Sequence, residues 1–354
     1  MSRIDLEVRE QYTATSDGWS LHLRRTRLPG CFDPTTKPLL IVPGYGMNTF
    51  IFSFHPRNTS MERCLAEAGF EVWSVNLRGQ GPSRRDDKNA PEPSLDRYAT
   101  IDVPTAVNHV LDATATESRT LSLIGCSLGG TIALGYLALQ KPKTVTEFVA
   151  MGAPLRWNDV HPLLKIAFAS PTIAGKLRLS GTRELVKGAM PLLRRIPSLL
   201  SLYMNPSTID MDRMDEMAQT VEDPHPAINR EIAEWIAARD LVIRGVNLTK
   251  AAEQMAIPLL NVIARQDGIV PESTARSLDE AWGGGDIEVL AVGDKHRAFA
   301  HANLFVANDA PLLVFEPLIQ WLRRQQRRLR PSGEGAAHDS ALASERQERH
   351  GKGG

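Results

Sequence analysis

Short apolar runs alternate along the chain with segments whose apolar residues recur at helical spacing. The strand-like runs are 38–42, 71–77, 120–124, 146–151, 258–264 and 287–292. Runs that are apolar throughout are typical of parallel strands buried on both faces. Near the amino terminus, 12–15 and 19–26 flank the turn Ser16-Asp17-Gly18 and predict a hairpin. The pattern predicts an α/β fold, with a mostly parallel twisted sheet and helices on both faces.

This alternation stops after Pro154 and resumes near residue 257. The intervening segment has no convincing strand, and its helical pieces are predicted at 163–169, 182–196, 207–221 and 226–240. The sequence thus predicts a first core part at 1–154, an inserted helical cap or lid at 155–256 and a second core part at 257–330. The residues 331–354 lack an apolar period and are predicted to be a disordered tail.

Three methionines recur every third residue in the cap, at Met211, Met214 and Met217. We interpret them as packing of the cap on the core. The alternative is a pliable wall for an acyl chain, because methionine side chains adapt their shape.

The motif Gly125-Cys126-Ser127-Leu128-Gly129 follows the apolar run at 120–124 and precedes a helix-compatible segment. Strand, sharp turn and helix form the context in which Gly-x-Ser-x-Gly indicates a nucleophile elbow. In such a turn Ser127 occupies a strained backbone position. A side chain at Gly125 or Gly129 is expected to collide with the neighbouring strand or helix. Cys126 is interpreted as a small buried hydrophobe.

The composition bears on three further properties: nucleic-acid binding, metal binding and contact with membranes. Lys plus Arg and Asp plus Glu balance at 41 each, so no global field would attract nucleic acid. The three cysteines lack metal-ligand spacing, which predicts no metal site and fits a reducing compartment. Neither a signal core nor a run long enough to cross a membrane is evident, so the expected location is the cytoplasm. A basic cluster within 323–330 allows peripheral contact with anionic lipid only as a minor alternative.

Several further motifs stand in the order found in one superfamily. They are Val42-Pro43-Gly44-Tyr45-Gly46, Asn76-Leu77-Arg78-Gly79-Gln80-Gly81-Pro82-Ser83, the elbow and Gln266-Asp267-Gly268-Ile269-Val270-Pro271. With these motifs the chain resembles the α/β-hydrolases, in their serine lipase and esterase branch. The run Leu65-Ala66-Glu67-Ala68-Gly69-Phe70-Glu71-Val72-Trp73 is similar to acid lipases and polyester synthases. Polyester synthases carry cysteine at the centre of the elbow, and epoxide hydrolases and haloalkane dehalogenases carry aspartate there. Ser127 argues against those chemistries.

The resemblance implies a triad in the chain order nucleophile, acid, histidine. Ser127 would be the nucleophile, and Asp267, which follows the run 258–264 at the same sheet edge, would be the acid. Two histidines follow the last predicted strand. His301 opens His301-Ala302-Asn303-Leu304-Phe305, similar to a motif of lipase-like relatives, and is favoured as the base over His296, which lies in a polar cluster.

For the oxyanion hole, Leu128 supplies one backbone N–H as the residue after the nucleophile. The resemblance assigns the other donor to Tyr45. The expected activity is hydrolysis of carboxylic esters, with medium or long acyl chains, and it requires no cofactor. Acyl transfer by the same triad and a non-catalytic binding protein on the same fold stay open as alternatives. The expected partner is a small-molecule ester or acyl substrate, and the oligomeric state is unknown.

Overall fold

The computed structural model describes residues 5–176, 181–184, 188 and 202–328. Eleven strands are found in these residues: β1 (Glu7–Ala14), β2 (Trp19–Arg27), β3 (Leu39–Val42), β4 (Val72–Asn76), β5 (Arg84–Arg85), β6 (Leu121–Cys126), β7 (Val145–Met151), β8 (Val242–Ile243), β9 (Val246–Asn247), β10 (Leu259–Ala264) and β11 (Ile287–Val292). All except β8 and β9 form one nine-stranded sheet in the order β1-β2-β4-β3-β6-β7-β10-β11, with β5 paired to β2. The strands from β4 to β11 along this order pair in parallel, whereas β1, β2 and β5 pair antiparallel. The predicted fold class is therefore confirmed.

Both faces of the sheet are buried, as the apolar runs require. In β3, Leu40 and Val42 belong to one hydrophobic core, and Leu39 and Ile41 belong to a second core on the opposite face. Side chains alternate between the two faces of a strand, so a strand buried on both sides cannot include polar positions without partners.

Helices cover these two faces. The α-helices of more than four residues are Met61–Glu67, Val103–Ala113, Leu128–Gln140, Pro162–Ala167, Pro226–Ala238, Leu248–Ala252, Ser277–Ala281 and Glu316–Arg328. Shorter α-helices are Phe50–Ser53, Leu95–Arg97, Pro171–Ala174, Met214–Met217, Glu272–Ala275 and Asn303–Val306. Two π-helical turns, Tyr98–Asp102 and Pro311–Phe315, lead directly into longer helices.

The amino-terminal hairpin is longer than its sequence pattern indicates. The sequence predicts a first strand over 12–15, but β1 begins at Glu7 and pairs with β2 along its whole length, from Glu7 opposite Arg27 to Ala14 opposite Ser20. Backbone pairing with β2 and ion pairs from Glu7 to Arg25 and Arg27 stabilise this extension. These contacts depend on the partner strand, which the residues of β1 alone do not reveal.

The segment proposed as a cap differs from its prediction in two places. The expectation of no strand is wrong at β8 and β9, which form a two-residue hairpin around Arg244 and Gly245, both with positive φ. The helical segment predicted over 207–221 is broken into the 3₁₀ turns Pro206–Thr208, Met211–Arg213 and Ala218–Thr220 and the helix Met214–Met217. Most of the helix predicted at 182–196 and the whole tail 331–354 lie outside the described residues.

The break in 207–221 has a physical reason in its hydrogen bonds. The Asp210 side chain accepts from the backbone N–H of Asp212 and so starts a new turn. The carbonyls of Thr208 and Thr220 accept from the backbone N–H groups of Asn308 and Asn48, which lie outside the segment. In a continuous helix these carbonyls would accept from N–H groups of the same helix. Tertiary pairing therefore replaces helical hydrogen bonds here.

Met214 and Met217 are buried in the core that also contains Phe52 and Phe305, and Met211 packs against that core half-buried. The packing interpretation of these methionines is thereby supported.

Candidate active site

Ser127 lies between β6 and the helix Leu128–Gln140, at the position that the elbow motif predicts. Its backbone has φ +53° and ψ −130°, a conformation that an L-residue other than glycine rarely adopts. The Ser127 N–H donates to the carbonyl of Met151 at the end of β7, at 2.8 Å. The hydrogen bond fixes the strained turn against the neighbouring strand.

The glycines of the motif are required by close packing, as the sequence predicts. A Cβ on Gly125 would lie 2.4 Å from the Gly130 Cα in the following helix. A Cβ on Gly129 would lie 2.4 Å from the carbonyl oxygens of both Val42 and Pro43, where β3 ends. Contacts this short do not occur between real atoms, so only glycine allows the helix to begin directly beneath Ser127.

Asp267 follows β10, and both of its carboxylate oxygens have partners. Oδ1 accepts from the backbone N–H groups of Ile269 and Val270, each at 2.8 Å. Oδ2 lies 2.6 Å from Nδ1 of His301. Both side chains are almost completely buried. The two backbone donors hold the carboxylate in one orientation toward the imidazole.

His301 lies in the loop after β11, and its ring stands over Gly152. A Cβ on Gly152 would be 3.2 Å from the His301 Cε1, and Gly152 has φ +58°. Gly152 directly follows β7, whose last residue, Met151, is paired with Cys126 of β6. The imidazole therefore lies at the strand end next to the one that carries Ser127. Among the described residues, no hydrogen bond joins His301 to Ser127 itself; catalytic hydrogen bonds are often longer in unliganded enzymes.

The other histidine candidate is placed differently. His296 is exposed, and its backbone N–H donates to the Asp294 side chain at 2.7 Å. The same carboxylate accepts from the backbone of Arg297, which stabilises a surface turn. Asp267 is therefore paired with His301 and not with His296.

The candidate oxyanion donors, Tyr45 and Leu128, lie on the two segments that adjoin Ser127. Leu128 is the next residue, at the first position of the helix. Tyr45 follows Gly44, whose α-carbon faces the Ser127 side chain so closely that a Cβ would lie 2.6 Å from the serine Cβ. The Tyr45 phenol hydrogen-bonds the Asn229 side chain, and burial raises the pKa of this phenol above its ordinary value.

Four residues that support the site were not singled out from the sequence. The Gln80 side chain donates to the Gly44 carbonyl at 3.0 Å and so anchors the loop before Tyr45. Gly152 leaves room for the imidazole. The Tyr203 ring lies 6.1 Å from the His301 ring, centroid to centroid, and burial together with the Asp267 charge raises its pKa to about 12.

The fourth residue, Asn303, is buried and fixes the loop that carries His301. Its Oδ1 accepts from the backbone of Asn205 at 2.7 Å and of Ala300 at 3.2 Å. Its Nδ2 donates to the Asn205 carbonyl and to the Thr208 hydroxyl. Only the position of Asn303, two residues after His301, could have suggested this role, because its partners Asn205 and Thr208 are 98 and 95 residues away in the chain.

Within residues 5–176, 181–184, 188 and 202–328, no three side chains among His, Cys, Asp and Glu are grouped to hold a metal ion. Across the same residues, no helix has the length and apolar character needed to cross a membrane.

The family model for the alpha/beta hydrolase fold matches residues 37–185. The lysosomal acid lipase/cholesteryl ester hydrolase of Rattus norvegicus is 28% identical over 204 residues, which cover 54% of this chain and 44% of that protein. The gastric triacylglycerol lipase of Rattus norvegicus is 32% identical over 132 residues, which cover 34% of this chain and 32% of that protein. The chain thus spans less than half the length of these two relatives.

Among solved structures, the monoacylglycerol lipase of Paleococcus ferrophilus superposes with a TM-score of 0.57 and 18% identity, covering 86% of this chain and 99% of that one. At this identity the likeness concerns the fold. The fold is that of the α/β hydrolases. The chain is similar to the α/β-hydrolase superfamily, and within it to lipases and esterases.

Proposed function

We propose that this protein is a serine hydrolase that cleaves carboxylic esters through an acyl-enzyme on Ser127. The observation that carries the proposal is the buried Asp267–His301 pair, with 2.6 Å between Oδ2 and Nδ1, at the strand end beside the strained Ser127. A serine hydroxyl becomes a useful nucleophile only when a positioned base removes its proton. Burial of the pair and the two backbone donors to Asp267 support this assignment.

In the proposed reaction, the Ser127 Oγ attacks the ester carbonyl carbon while Nε2 of His301 takes the hydroxyl proton. The Asp267 carboxylate accepts a hydrogen bond from Nδ1–H, holds the imidazole in that tautomer and stabilises the imidazolium. His301 then gives the proton to the departing alkoxide, and the alcohol leaves. Water then attacks the acyl carbonyl carbon while Nε2 of His301 takes a proton from it. The bond to the Ser127 Oγ breaks, His301 passes that proton to Oγ, and the carboxylic acid leaves.

The backbone N–H groups of Tyr45 and Leu128 are the proposed oxyanion donors. The Leu128 N–H is free of an intrahelical acceptor because it is at the first turn of its helix, whose partial positive charge also favours an anion. Gln80, by fixing the Gly44 carbonyl, orients the peptide that carries the Tyr45 N–H.

We propose that residues 155–256 act as a cap over this site and that 1–154 and 257–330 form the core. Support comes from short helices in the segment and from contacts of its second half with the site loops. The Glu222 N–H donates to the Gly46 carbonyl at 2.9 Å, and the Ala302 N–H donates to the Tyr203 carbonyl at 2.8 Å. The proposed substrates are esters with medium or long acyl chains; the two rat lipases are named for a cholesteryl ester and a triacylglycerol.

The proposal is tested with a fluorophosphonate probe and a chain-length series of nitrophenyl esters. Wild-type protein should be labelled and should hydrolyse the esters, and Ser127→Ala should do neither. Absence of labelling in correctly folded wild-type protein would instead favour a binding protein on this fold. Acyl transfer, the second candidate, is separated from hydrolysis by measuring released acid and transferred ester with and without an added alcohol.

The proposed location is the cytoplasm. It stays a prediction, because the relatives include a lysosomal lipase.

A further inference from the structure

A cavity of about 500 Å³ lies beside Asn48 and Thr49, at the end of the 43–49 loop. Its walls come from four parts of the chain: the amino-terminal hairpin with Glu10, His22 and Arg24, the segment 48–53 after β3, the end of β4 and the loop after it with Asn76 and Pro82, and the proposed cap with Gln219 and Glu222. Ser127, Asp267 and His301 do not contribute to its lining, so this is a second compartment.

His22 presents an unused donor in this cavity. The Asn76 amide oxygen accepts from the Thr49 backbone N–H at 3.0 Å, which turns the Asn76 amide nitrogen toward Nδ1 of His22, at 2.9 Å. Nδ1 is therefore an acceptor, and the neutral imidazole carries its hydrogen on Nε2. Nε2 is buried and has no hydrogen-bond partner among the described residues. A buried donor without an acceptor is unfavourable, so an oxygen atom placed here gains a hydrogen bond that the protein itself does not supply.

The nearest group to this donor is the Glu10 carboxylate, which is held loosely. One Glu10 oxygen lies 3.6 Å from Nε2 of His22, and the other lies 3.6 Å from Nη1 of Arg24. Both distances are too long for a hydrogen bond. The Glu10 side chain is 60% exposed, so it can turn into solvent at little cost. Arg24, by contrast, is fixed by its Nε hydrogen bond to the buried Glu62, at 3.0 Å.

The two donors thus each face a different oxygen of one carboxylate, that of Glu10. The remaining charges of the lining do not oppose a second carboxylate in its place. Arg183 and Glu222, the other charged residues of the lining, form an ion pair with each other at 3.1 Å. Phe50 and Pro82 add an apolar surface to the wall. When Glu10 leaves, the cavity holds an unpaired donor, a guanidinium group and an apolar wall.

We infer that this cavity binds a small carboxylate anion, which replaces Glu10 against His22 and Arg24 and lays its short alkyl chain on Phe50 and Pro82. The inference is independent of the proposed esterase activity, because none of the proposed triad residues lines this cavity.

Calorimetric titration of the full-length Ser127→Ala protein with sodium butyrate tests this site, with glycerol as the uncharged comparison ligand. The background variant removes turnover at the active site. Adding Glu10→Ala removes the competing carboxylate and should strengthen butyrate binding by about fivefold, the value of a surface ion pair. Adding His22→Phe should weaken binding by about tenfold or more, because the donor is lost. The matched control is Glu117→Ala, which removes an equal charge from an exposed position outside the lining.

Stronger butyrate binding in Glu10→Ala than in Glu117→Ala, with little glycerol binding, supports the site. Three results overturn it: no saturable butyrate binding, equal affinities in Glu10→Ala and Glu117→Ala, or glycerol binding as tight as butyrate binding. If His22→Phe unfolds, as a thermal melt would show, the Glu10→Ala comparison still decides, because Glu10 is a surface residue.

Discussion

Gly44 and Ser127 lie so close together that a methyl group on the glycine would be 2.6 Å from the serine Cβ and 3.1 Å from its hydroxyl oxygen. Gly44 does not have a positive φ, so space and not backbone conformation selects glycine here. We predict that Gly44→Ala displaces Ser127 or the 43–49 loop. Overpacking of this kind destabilises proteins by about 1–3 kcal/mol. The rate of fluorophosphonate labelling should fall by more than the loss of folded protein accounts for.

The matched control is Gly285→Ala, because a Cβ on Gly285 meets no atom within 4 Å. Its labelling rate and thermal midpoint should equal those of wild type. Equal labelling rates for Gly44→Ala and wild type would show that the Gly44–Ser127 contact does not position the nucleophile.

The two histidines after β11 should respond differently to substitution. His301→Ala removes the imidazole that is paired with Asp267, and ester turnover should fall by about 10³-fold or more. His296→Ala removes an exposed ring, and it keeps the hydrogen bond of residue 296 to Asp294 because the backbone N–H donates it. Turnover should therefore stay within about twofold of wild type. Steady-state hydrolysis of a nitrophenyl ester measures both. A larger loss in His296→Ala than in His301→Ala would reverse the assignment.

Asp267→Asn tests orientation of the imidazole with little change in shape. The amide oxygen is expected to stay with the backbone N–H groups of Ile269 and Val270, which turns the amide nitrogen, a donor, toward Nδ1 of His301. The favoured tautomer of His301 is then lost, and kcat should fall by about 10³–10⁴-fold with a small change in KM. Asp294→Asn is the control, because Asp294 likewise accepts from two backbone N–H groups but holds the His296 turn. Similar kcat values for the two variants would remove Asp267 from the proposed triad.

A structural feature could be predicted from the sequence when the contacts that determine it lie between residues close together in the chain. The conformation of Ser127 follows from glycines within three residues of it, and β3 follows from four apolar residues that must be buried on both faces. The choice between His296 and His301 depends on the position of Asp267, about thirty residues earlier, so the sequence could rank the two histidines but not decide between them. The Tyr203 contact with His301 depends on the path of the segment before Asn205, which no local pattern encodes.

Asn303 should position His301 without touching the reacting atoms. Asn303→Ala leaves the Asn205 and Ala300 N–H groups and the Thr208 hydroxyl without this partner, each at a cost of about 1–3 kcal/mol if it stays buried. Denaturant unfolding should show the stability loss. At a temperature where the variant is folded, kcat should fall while KM changes little. A KM increase alone, with kcat unchanged, would indicate a role in binding and not in placing the imidazole.

His55 should make stability depend on pH. Its Nε2–H donates to the Ala307 carbonyl at 3.0 Å, while Nδ1 accepts from the Arg57 N–H at 3.1 Å, so the buried ring fits its contacts only when it is neutral. Burial, aided by the Arg57 charge, lowers the pKa of His55 below its ordinary value of 6.5. Between the lowered folded pKa and 6.5 the unfolded chain binds more protons, so stability is fully present above pH 6.5 and declines as pH falls below it.

Urea unfolding of wild type and His55→Gln between pH 5 and 8 isolates this effect from that of other histidines. The wild-type free energy of unfolding should decrease toward pH 5, by about 1.4 kcal/mol for each unit by which the pKa of His55 is lowered. In His55→Gln the decrease should be smaller, although the variant should be less stable than wild type at pH 8, where the wild-type ring makes all of its hydrogen bonds. If the free energy of unfolding of His55→Gln depends on pH as strongly as that of wild type, folding does not lower the pKa of His55.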